Sequence, residues 1–349
     1  MFDPARNRKL YFGHVFLART LGRAPPGGPV LIARILRLAT LAGALGVLGL
    51  AAVLALATPL GWPGALACSI GVVPAGFAIV LGVEFLAAAL LGDRHWRGLV
   101  RAWAGEVLAS MRTFLLAVPW LGDREVASTA GDRLPVVLVH GYFCNRAVWR
   151  PFARRLAEAG HPVTAVSLDP PFGPIDAHAA TIETAVARAG HGRGPVVLVG
   201  HSMGGLAIRA FLRRAGSDGI AGVVTLGSPH RGTRMAAVGR SPAAREMRRG
   251  SAWLEALAAH EAQQREASGD AAAPPLCIIL TLNDNIVYPQ GEQVLPGARV
   301  LRLDGVGHLD LVYRPSVGRL VEAEIARLEA GITAAGARAA NGKLAAALE

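Results

Sequence analysis

Ser202 lies in a Gly-His-Ser-Met-Gly sequence, residues 200–204, between an apolar run at 195–199 and a stretch of helix-favouring residues. A Gly-x-Ser-x-Gly sequence between a strand and a helix is typical of a nucleophile elbow, a sharp turn that exposes the serine at the strand's end. The turn leaves no room for side chains at its flanks, which suits Gly200 and Gly204. Because a serine hydroxyl is a weak nucleophile at neutral pH, it needs a base and a carboxylate that orients the base.

The base and the carboxylate are expected downstream, because one arrangement of this chemistry has the chain order Ser, Asp, His. Residues 276–282 predict a buried strand, and Asp284 follows it in a loop. Residues 298–303 predict the next strand, and His308 follows in a loop that contains two glycines. The sequence therefore favours Asp284 as the orienting carboxylate and His308 as the base that takes the serine proton.

Other carboxylates and histidines compete for these two roles. Asp304 lies just before the first loop glycine, and Asp310 is expected to face solvent or to cap the following helix. The competing histidines are His140, His201 and His230. Each would have to reach the serine from its own strand end, and His230 is expected to fix a loop by a hydrogen bond. The placement after successive strands favours Asp284 and His308 over all of them.

The negative charge of a tetrahedral intermediate requires backbone N–H donors beside the serine. One donor is expected from Met203, the residue after the nucleophile, and the other from the loop after an earlier strand. Residues 135–140 predict that strand, and Tyr142 in the following loop is the candidate donor, with Phe143 as the alternative. Cys144 has no base at a suitable spacing and is expected to pack behind this loop.

Two long uncharged segments precede these elements. Residues 38–61 carry no charge, and after a Gly-Trp-Pro break a second uncharged run covers 64–83 and continues past Glu84 to residue 91. About 20 apolar residues suffice to cross a bilayer, and these runs exceed the ~7–15 residues of a signal-peptide core. The segments favour a transmembrane hairpin over a buried hairpin of a soluble protein. Since a carboxylate in lipid is costly, Glu84 is expected at a helix end or facing another helix.

Basic residues flank both ends of this hairpin and are absent from its turn. They are Arg6, Arg8, Lys9, Arg19, Arg23, Arg34 and Arg37 before the first run, and Arg94, Arg97, Arg101 and Arg112 after the second. The positive-inside rule then places both ends, and the remainder of the chain, in the cytoplasm. Three cysteines, Cys68, Cys144 and Cys277, fit a reducing compartment better than a disulfide framework.

Composition and spacing also exclude some classes of function. Much of the net charge of +11 comes from arginines beside the hairpin, and no nucleic-acid-binding motif accompanies it. No group of histidines, cysteines and acidic residues has the spacing of zinc ligands, so no metal is expected.

Beyond residue 131, predicted strands alternate with predicted helices, which favours the α/β class with a mostly parallel sheet covered on both faces by helices. The predicted strands are 135–140, 162–168, 195–200, 220–226 and the two that precede Asp284 and His308, and the predicted helices lie near 147–159, 176–189, 203–214 and 316–330. A charged helical insertion at about 232–275 comes before the acid-bearing strand, where a cap over the serine would sit. Residues 94–125 predict a helix that lies on the membrane or packs on the domain.

The chain resembles a bacterial esterase or lipase of the α/β-hydrolase superfamily, of the triacylglycerol-lipase-like Gly-His-Ser-Met-Gly-Gly type. The resemblance rests on five blocks, at residues 140–142, 200–205, 225–233, 284–289 and 307–308, and covers about 131–330. It implies Ser202 as nucleophile, Asp284 and His308 as its partners, and Tyr142 and Met203 as oxyanion donors. Relatives cleave carboxylic esters and need no organic cofactor, so none is expected here.

The predicted organisation is a basic cytoplasmic N-terminal segment at 1–37, a transmembrane helical hairpin at 38–91, a juxtamembrane helix and linker at 92–130, a catalytic domain at 131–335 and a tail at 336–349. The predicted protein is a membrane-anchored serine hydrolase for an acyl lipid or another hydrophobic ester, with no nucleic-acid partner. A thioesterase, a lactonase, an acyltransferase and a non-catalytic membrane scaffold or lipase-folding partner stay open, as does the oligomeric state.

Overall fold

The computed structural model of the protein describes residues 31–122, 124–129, 131–268 and 273–346. Most of the predicted basic N-terminal segment, including its residues Arg6 to Arg23, lies outside the described residues. The end of the tail, residues 347–349, lies outside them as well.

A single seven-stranded sheet forms the centre of the described chain after residue 124. Its strands are β1 (Ala127–Ser128), β2 (Val136–Val139), β3 (Val163–Val166), β4 (Val196–His201), β5 (Ile220–Leu226), β6 (Leu276–Thr281) and β7 (Arg299–Leu303). They lie in the order β1-β3-β2-β4-β5-β6-β7, and all neighbours pair in parallel except β1 with β3. The predicted α/β class is confirmed. The short β1 lies in the segment that the sequence predicted as a linker.

Helices cover both faces of this sheet. In chain order, the α-helices of the described residues are α1 (Leu31–Ala57), α2 (Gly61–Leu91), α3 (Leu99–Met111), α4 (Val118–Leu121), α5 (Arg150–Glu158), α6 (Ala179–Gly190), α7 (Met203–Ala215), α8 (Pro242–Glu246), α9 (Ala252–Ser268), α10 (Asp310–Tyr313) and α11 (Pro315–Ala346), of which α5, α6, α7 and α11 pack on the sheet. A π-helix, Arg112–Ala117, joins α3 to α4. The 3₁₀ turns are Arg146–Trp149, Ile175–His178, Met235–Val238 and Gly291–Gln293.

The central strands are apolar throughout because both of their faces are buried. On β2, Val136 and Leu138 belong to the core shared with α5 and α11, whereas Val137 and Val139 belong to the core shared with α6 and α7. The same alternation on β4 divides its valines and leucine between the two cores. These strands therefore read as continuous hydrophobic runs in the sequence and not as alternating patterns.

The chain passes from β2 to β3 on one side and then returns to β4 on the other side of β2. This reversal of strand order opens a crevice at the carboxyl ends of β2 and β4, which is where open α/β sheets usually bind ligands. The loops after these two strands carry Tyr142 and Ser202.

The N-terminal helices are long, apolar and largely uncovered. Both α1 and α2 are long and apolar enough to cross a membrane, and only 6% and 11% of their most apolar windows are buried. They pack against each other, and in the last third of α2 one face, including Leu81 and Phe85, is buried, whereas Val83 and Leu86 are exposed. The helices therefore form a hairpin whose returning arm reaches the sheet domain.

The helices extend beyond the predicted segments at three points. The first hairpin helix begins at Leu31 and not near residue 38, so that it includes Arg34 and Arg37. The second begins at Gly61, with Pro63 in its first turn, where proline needs no hydrogen-bonded N–H. At the other end, α11 continues to Ala346 and runs through much of the predicted tail.

One face of the segment at residues 99–121 packs on the sheet domain, which is one of the two alternatives predicted for it, while Val100 and Leu108 are exposed on the other face. Ala102, Glu106 and Ala109 of α3 are buried, and α3 contacts α10. The helix is therefore covered on one face by the loop that follows β7.

Candidate active site

Ser202 occupies the sharp turn between β4 and α7 that the sequence predicted. Its backbone has φ +55° and ψ −128°, a left-handed conformation that is uncommon for a residue with a side chain. The neighbouring glycines allow the turn. A Cβ atom on Gly204 would lie 2.3 Å from the carbonyl oxygen of Val139, and one on Gly200 would lie 2.7 Å from the nitrogen of Gly205.

Three side chains form a hydrogen-bonded line at the carboxyl edge of the sheet. His308 Nε2 lies 3.0 Å from Ser202 Oγ, and His308 Nδ1 lies 2.9 Å from Asp284 Oδ2. All three residues are buried, with exposed fractions of 7% for Ser202, 5% for His308 and 2% for Asp284. The structure thus brings the three predicted side chains together in hydrogen-bonding geometry.

Asp284 directs one carboxylate oxygen at the imidazole and the other at its own loop. Its Oδ1 accepts hydrogen bonds from the N–H groups of Ile286 (2.9 Å) and Val287 (2.7 Å). These bonds fix the rotamer of the carboxylate, so Oδ2 points at His308.

The competing carboxylates are engaged elsewhere. Asp304 lies 2.6 Å from His95 Nε2, and Asp310 pairs with Arg314 one helical turn away. The expectation that Asp310 faces solvent or caps a helix is wrong in its first part, since Asp310 is only 7% exposed and stands at the start of α10. It is buried because its guanidinium partner compensates the charge.

Carboxylates favour the protonated form of His308. Burial lowers the pKa of this imidazole, but the charge and the hydrogen bond of Asp284, together with the charge of Glu106, raise it above its ordinary value of 6.5. In contrast, burial and the neighbouring His308 keep the pKa of His201 well below its ordinary value. His201 therefore stays neutral beside the reacting group.

The backbone around His308 is held on both sides. Asn285 Oδ1 accepts from the N–H of His308 (3.2 Å), and His201 Nε2 donates to its carbonyl oxygen (3.0 Å). Glu106 accepts from the next two N–H groups, those of Leu309 and Asp310. The sequence offered only a weak signal for these contacts, an isolated charge in α3 and an asparagine after Asp284.

The predicted oxyanion donors, Met203 and Tyr142, follow Ser202 and Gly141 in the chain. Met203 is the first residue of α7, so its N–H has no acceptor within the helix. Gly141 approaches the nucleophile so closely that a Cβ atom there would lie 2.7 Å from Ser202 Cβ. The loop that carries Tyr142 therefore passes over the serine. The alternative donor, Phe143, follows with φ +60° and a side chain that is 45% exposed.

Two other histidines form structural hydrogen bonds. His140 Nε2 accepts from the N–H of Leu168, while its Nδ1 donates to the carbonyl oxygen of Gly141, which fixes the loop before Tyr142. His230 Nε2 is paired with Thr225 Oγ1 at 2.9 Å, in agreement with the predicted role in fixing a loop.

Cys144 is buried in the core behind the Tyr142 loop, as expected. Burial raises the pKa of its thiol to about 12. It is therefore a thiol and not a thiolate at neutral pH, which removes it as a competing nucleophile.

A largely apolar cavity of about 540 Å³ opens beside Ser202 and His308. Its wall combines residues from distant parts of the chain, including Leu81, Phe114, Met235, Val238 and Met247. The insertion after β5, which the sequence predicted as a cap, supplies three of these side chains. Val238, at 80% exposure, presents an apolar side chain to the outside.

Comparison with known proteins identifies the fold. Residues 135–249, about a third of the chain, match the family described as alpha/beta hydrolase fold. With the sheet order given above, the protein has an α/β-hydrolase fold, as the resemblance in its sequence implied.

Some solved structures are similar to part of the chain. The mature lipase BlEst2 of Bacillus licheniformis has a TM-score of 0.49 at 15% identity, over 56% of this chain and 92% of that protein. A structure described for the metagenome-derived lipolytic enzymes LipS and LipT has a TM-score of 0.47 at 17% identity, over 59% and 98%. A thermophilic esterase of Thermogutta terrifontis has a TM-score of 0.42 at 19% identity, over 57% and 92%. A fold does not set a reaction, and the activity is argued from the site.

The close approach of backbone at Gly204 predicts a selective loss of stability. Gly204→Ala is expected to lower the melting temperature, because its Cβ would overlap the Val139 carbonyl oxygen. Gly331→Ala is the matched control: a Cβ there meets nothing within 4 Å, and alanine favours the helix by about 1 kcal/mol. Thermal unfolding by circular dichroism would check both, and an unchanged Gly204→Ala protein would contradict the elbow geometry.

Proposed function

We propose that the protein is a membrane-anchored serine hydrolase that cleaves carboxylic esters, with Ser202, His308 and Asp284 as its catalytic triad. The observation that carries the proposal is the buried hydrogen-bonded line from Ser202 Oγ through both nitrogens of His308 to Asp284. This line has the geometry that a serine nucleophile requires: a base within reach of the hydroxyl and a carboxylate that fixes the tautomer of the base.

In the proposed reaction, Ser202 Oγ attacks the ester carbonyl carbon while His308 Nε2 takes the hydroxyl proton. The Nδ1–H of His308 donates to Asp284, whose charge stabilises the imidazolium. The tetrahedral intermediate collapses, the alcohol leaves with the proton from His308, and an acyl-serine results. Water, activated by the same imidazole, then releases the carboxylic acid and regenerates Ser202.

The proposed oxyanion hole consists of the N–H groups of Tyr142 and Met203. Support comes from the position of Met203 at the start of α7 and from the passage of the Gly141 backbone over Ser202. Donors that are already oriented before the charge develops stabilise the intermediate without reorganisation, and one such donor is worth about 10²–10³ in turnover.

A hydrophobic ester, such as an acyl lipid, is the proposed substrate. The cavity beside Ser202 is lined mainly by aliphatic, aromatic and methionine side chains, and exposed Phe143 and Val238 lie among its lining residues. An acyl chain placed there leaves water for an apolar wall, at roughly 0.8 kcal/mol per buried methylene.

The proposed anchor is the hairpin of α1 and α2. Large apolar side chains along both helices are exposed, whereas the core helices of a soluble protein would be covered. With 31 residues, α2 is about 46 Å long, more than the ~30 Å of a hydrocarbon core. The part of α2 that exceeds the thickness of the hydrocarbon core is about its last third, which contacts the sheet domain through one face.

The proposed location is the inner, cytoplasmic membrane, with the catalytic domain on the cytoplasmic side. The support is the distribution of arginines, which flank the hairpin and are absent from its turn. This orientation brings the hydrolase domain close to the basic ends of both helices.

Labelling with a fluorophosphonate probe tests the nucleophile. Full-length protein in detergent should react, while Ser202→Ala should not, and His308→Ala should lose about 10⁶-fold in hydrolysis of a p-nitrophenyl ester. Ser228→Ala, another buried serine, is the matched control and should label normally.

Absence of labelling in folded wild-type protein would favour the scaffold interpretation. Product analysis with ester, thioester and lactone substrates, each with water or an alcohol as acyl acceptor, would separate the remaining hydrolase and transferase alternatives.

The raised pKa of His308 predicts an acid limb in the pH profile of kcat/KM. The reaction needs neutral His308, so the rate should fall as the pH falls through the pKa of this imidazole, at a midpoint above 6.5. The ionisable groups that face His308 are Asp284, Glu106, Glu84 and the neutral His201. A midpoint clearly below 6.5 would contradict the proposed electrostatics.

The cavity predicts a preference for long acyl chains that a larger side chain would remove. Ala236→Phe should place a ring in the cavity and lower kcat/KM for long-chain esters, at about 1–3 kcal/mol for each methylene that no longer fits. Short-chain esters should be affected little. Ala259→Phe, on the exposed face of α9, is the control. An unchanged chain-length profile in Ala236→Phe would contradict binding of the acyl chain in this cavity.

A further inference from the structure

We propose that Glu106 of α3 and Glu84 of α2 are positioning residues that hold the His308 loop in its reactive geometry, so that the N-terminal helices are part of the catalytic machinery. The inference rests on the proposed function, since it assigns a cause to the position of the proposed base. Neither residue belongs to the sheet domain that carries the three reacting side chains.

Glu106 binds the loop immediately after the imidazole. Its Oε1 accepts from the N–H of Leu309 (2.9 Å) and its Oε2 accepts from the N–H of Asp310 (3.0 Å). The side chain is 1% exposed and lines the cavity beside Ser202. Both oxygens are therefore used to fix two successive peptide groups that follow His308.

Glu84 reaches the same loop through an asparagine. Its Oε2 accepts from Asn285 Nδ2 at 2.9 Å, and Asn285 Oδ1 accepts from the N–H of His308. Since Asn285 is fully buried, its amide has a defined orientation only while both partners are present. Glu84 thus sets the direction of the acceptor that holds the His308 backbone, and it faces a polar partner instead of lipid.

The segment between these two residues also binds the loop of Asp284. The side-chain nitrogen of Asn283 donates to the carbonyl oxygens of His95 and Arg97, and its oxygen accepts from the N–H of Gly305. Gln290 Oε1 accepts from the N–H of Asp93, and Gln290 Nε2 donates to the carbonyl oxygen of Asp284. Residues 84–106 therefore connect the acid loop to the histidine loop.

The backbone of the N-terminal segment at residues 84–106 lies in close contact with the loop that carries His308. A Cβ atom on Gly98 would lie 2.7 Å from the nitrogen of Gly305, and one on Gly307 would lie 2.4 Å from Glu106 Oε2. Glycine at these positions lets the N-terminal segment touch the histidine loop directly. Removal of the carboxylate of Glu106 would leave two buried N–H groups without an acceptor.

Rates of fluorophosphonate labelling and of ester hydrolysis in full-length variants test this role. In Glu106→Ala, loss of both acceptors should let the loop shift, and a shift of about 1 Å costs on the order of 10²-fold in rate. The loss should fall mainly on kcat, because both carboxylate oxygens of Glu106 bind the backbone that follows the base. Glu106→Gln keeps one acceptor oxygen and should be intermediate.

The pH profile separates positioning from a general role in stability. Ionised Glu106 stabilises the imidazolium, and burial raises its own pKa to about 7, so both groups titrate near the acid limb. Glu106→Gln removes this charge at every pH and should move the acid limb of kcat/KM to lower pH. The groups that face Glu106 are His308 and Asp284 at the site and Cys144 behind it. A lower melting temperature with an unmoved acid limb and unchanged kcat would mean that Glu106 only stabilises the fold.

Glu84 provides a second pair of variants if Glu106→Ala does not fold. Glu84→Gln retains an oxygen that accepts from Asn285 and should keep most of the wild-type kcat, whereas Glu84→Ala should lower it. Glu125→Gln, an exposed carboxylate before β1, is the control and should match wild type in every measurement.

Two outcomes distinguish the two proposals. If wild-type protein is labelled at Ser202 and the Glu106 and Glu84 variants retain its kcat and acid limb, the positioning role is overturned while the hydrolase function stands. If folded wild-type protein is neither labelled nor active on esters, the hydrolase function fails and the positioning role fails with it.

Discussion

The arrangement of the site depends on His308, whose ring is hydrogen-bonded at both nitrogens and whose backbone is hydrogen-bonded at both its N–H and its carbonyl oxygen. Nε2 of His308 reaches Ser202 only while Nδ1 reaches Asp284, and this leaves the ring no freedom to turn. The backbone is restrained too: His201 binds its carbonyl oxygen and Asn285 its N–H. The His308 side chain therefore stays in place only while the loops after β6 and β7, the end of β4 and the start of α7 keep fixed relative positions.

This constraint explains why polar and charged groups are buried around a largely apolar cavity. Taking a carboxylate out of water is costly unless hydrogen bonds replace its hydration. Glu106 has two N–H donors in return, yet burial still raises its pKa to about 7. His201 and His140 are kept neutral by burial and act as hydrogen-bonding groups of fixed direction. The site thus combines an apolar wall for substrate with a rigid polar layer behind it.

The N-terminal helices combine two environments in one element. Most of α1 and the first part of α2 present apolar side chains outward, while one face of the last third of α2 and one face of α3 are buried against the rest of the chain. Glu84 marks the change, since it lies in an otherwise apolar helix and binds Asn285. If the hairpin served only as the proposed membrane anchor, this contact would not be needed, and a flexible linker between the hairpin and the sheet domain would suffice.

The sequence by itself determined the α/β class, the parallel strands and the neighbourhood of Ser202, because strand alternation and a glycine-flanked turn are local patterns. It also ordered Asp284 and His308 correctly after successive strands, and the sheet brought both to the serine. Only the tertiary structure decided that Glu106, more than 200 residues before the N–H groups it binds, lies beside the histidine. No periodicity encodes such a contact, since it arises when helices far apart in sequence pack on the same loop.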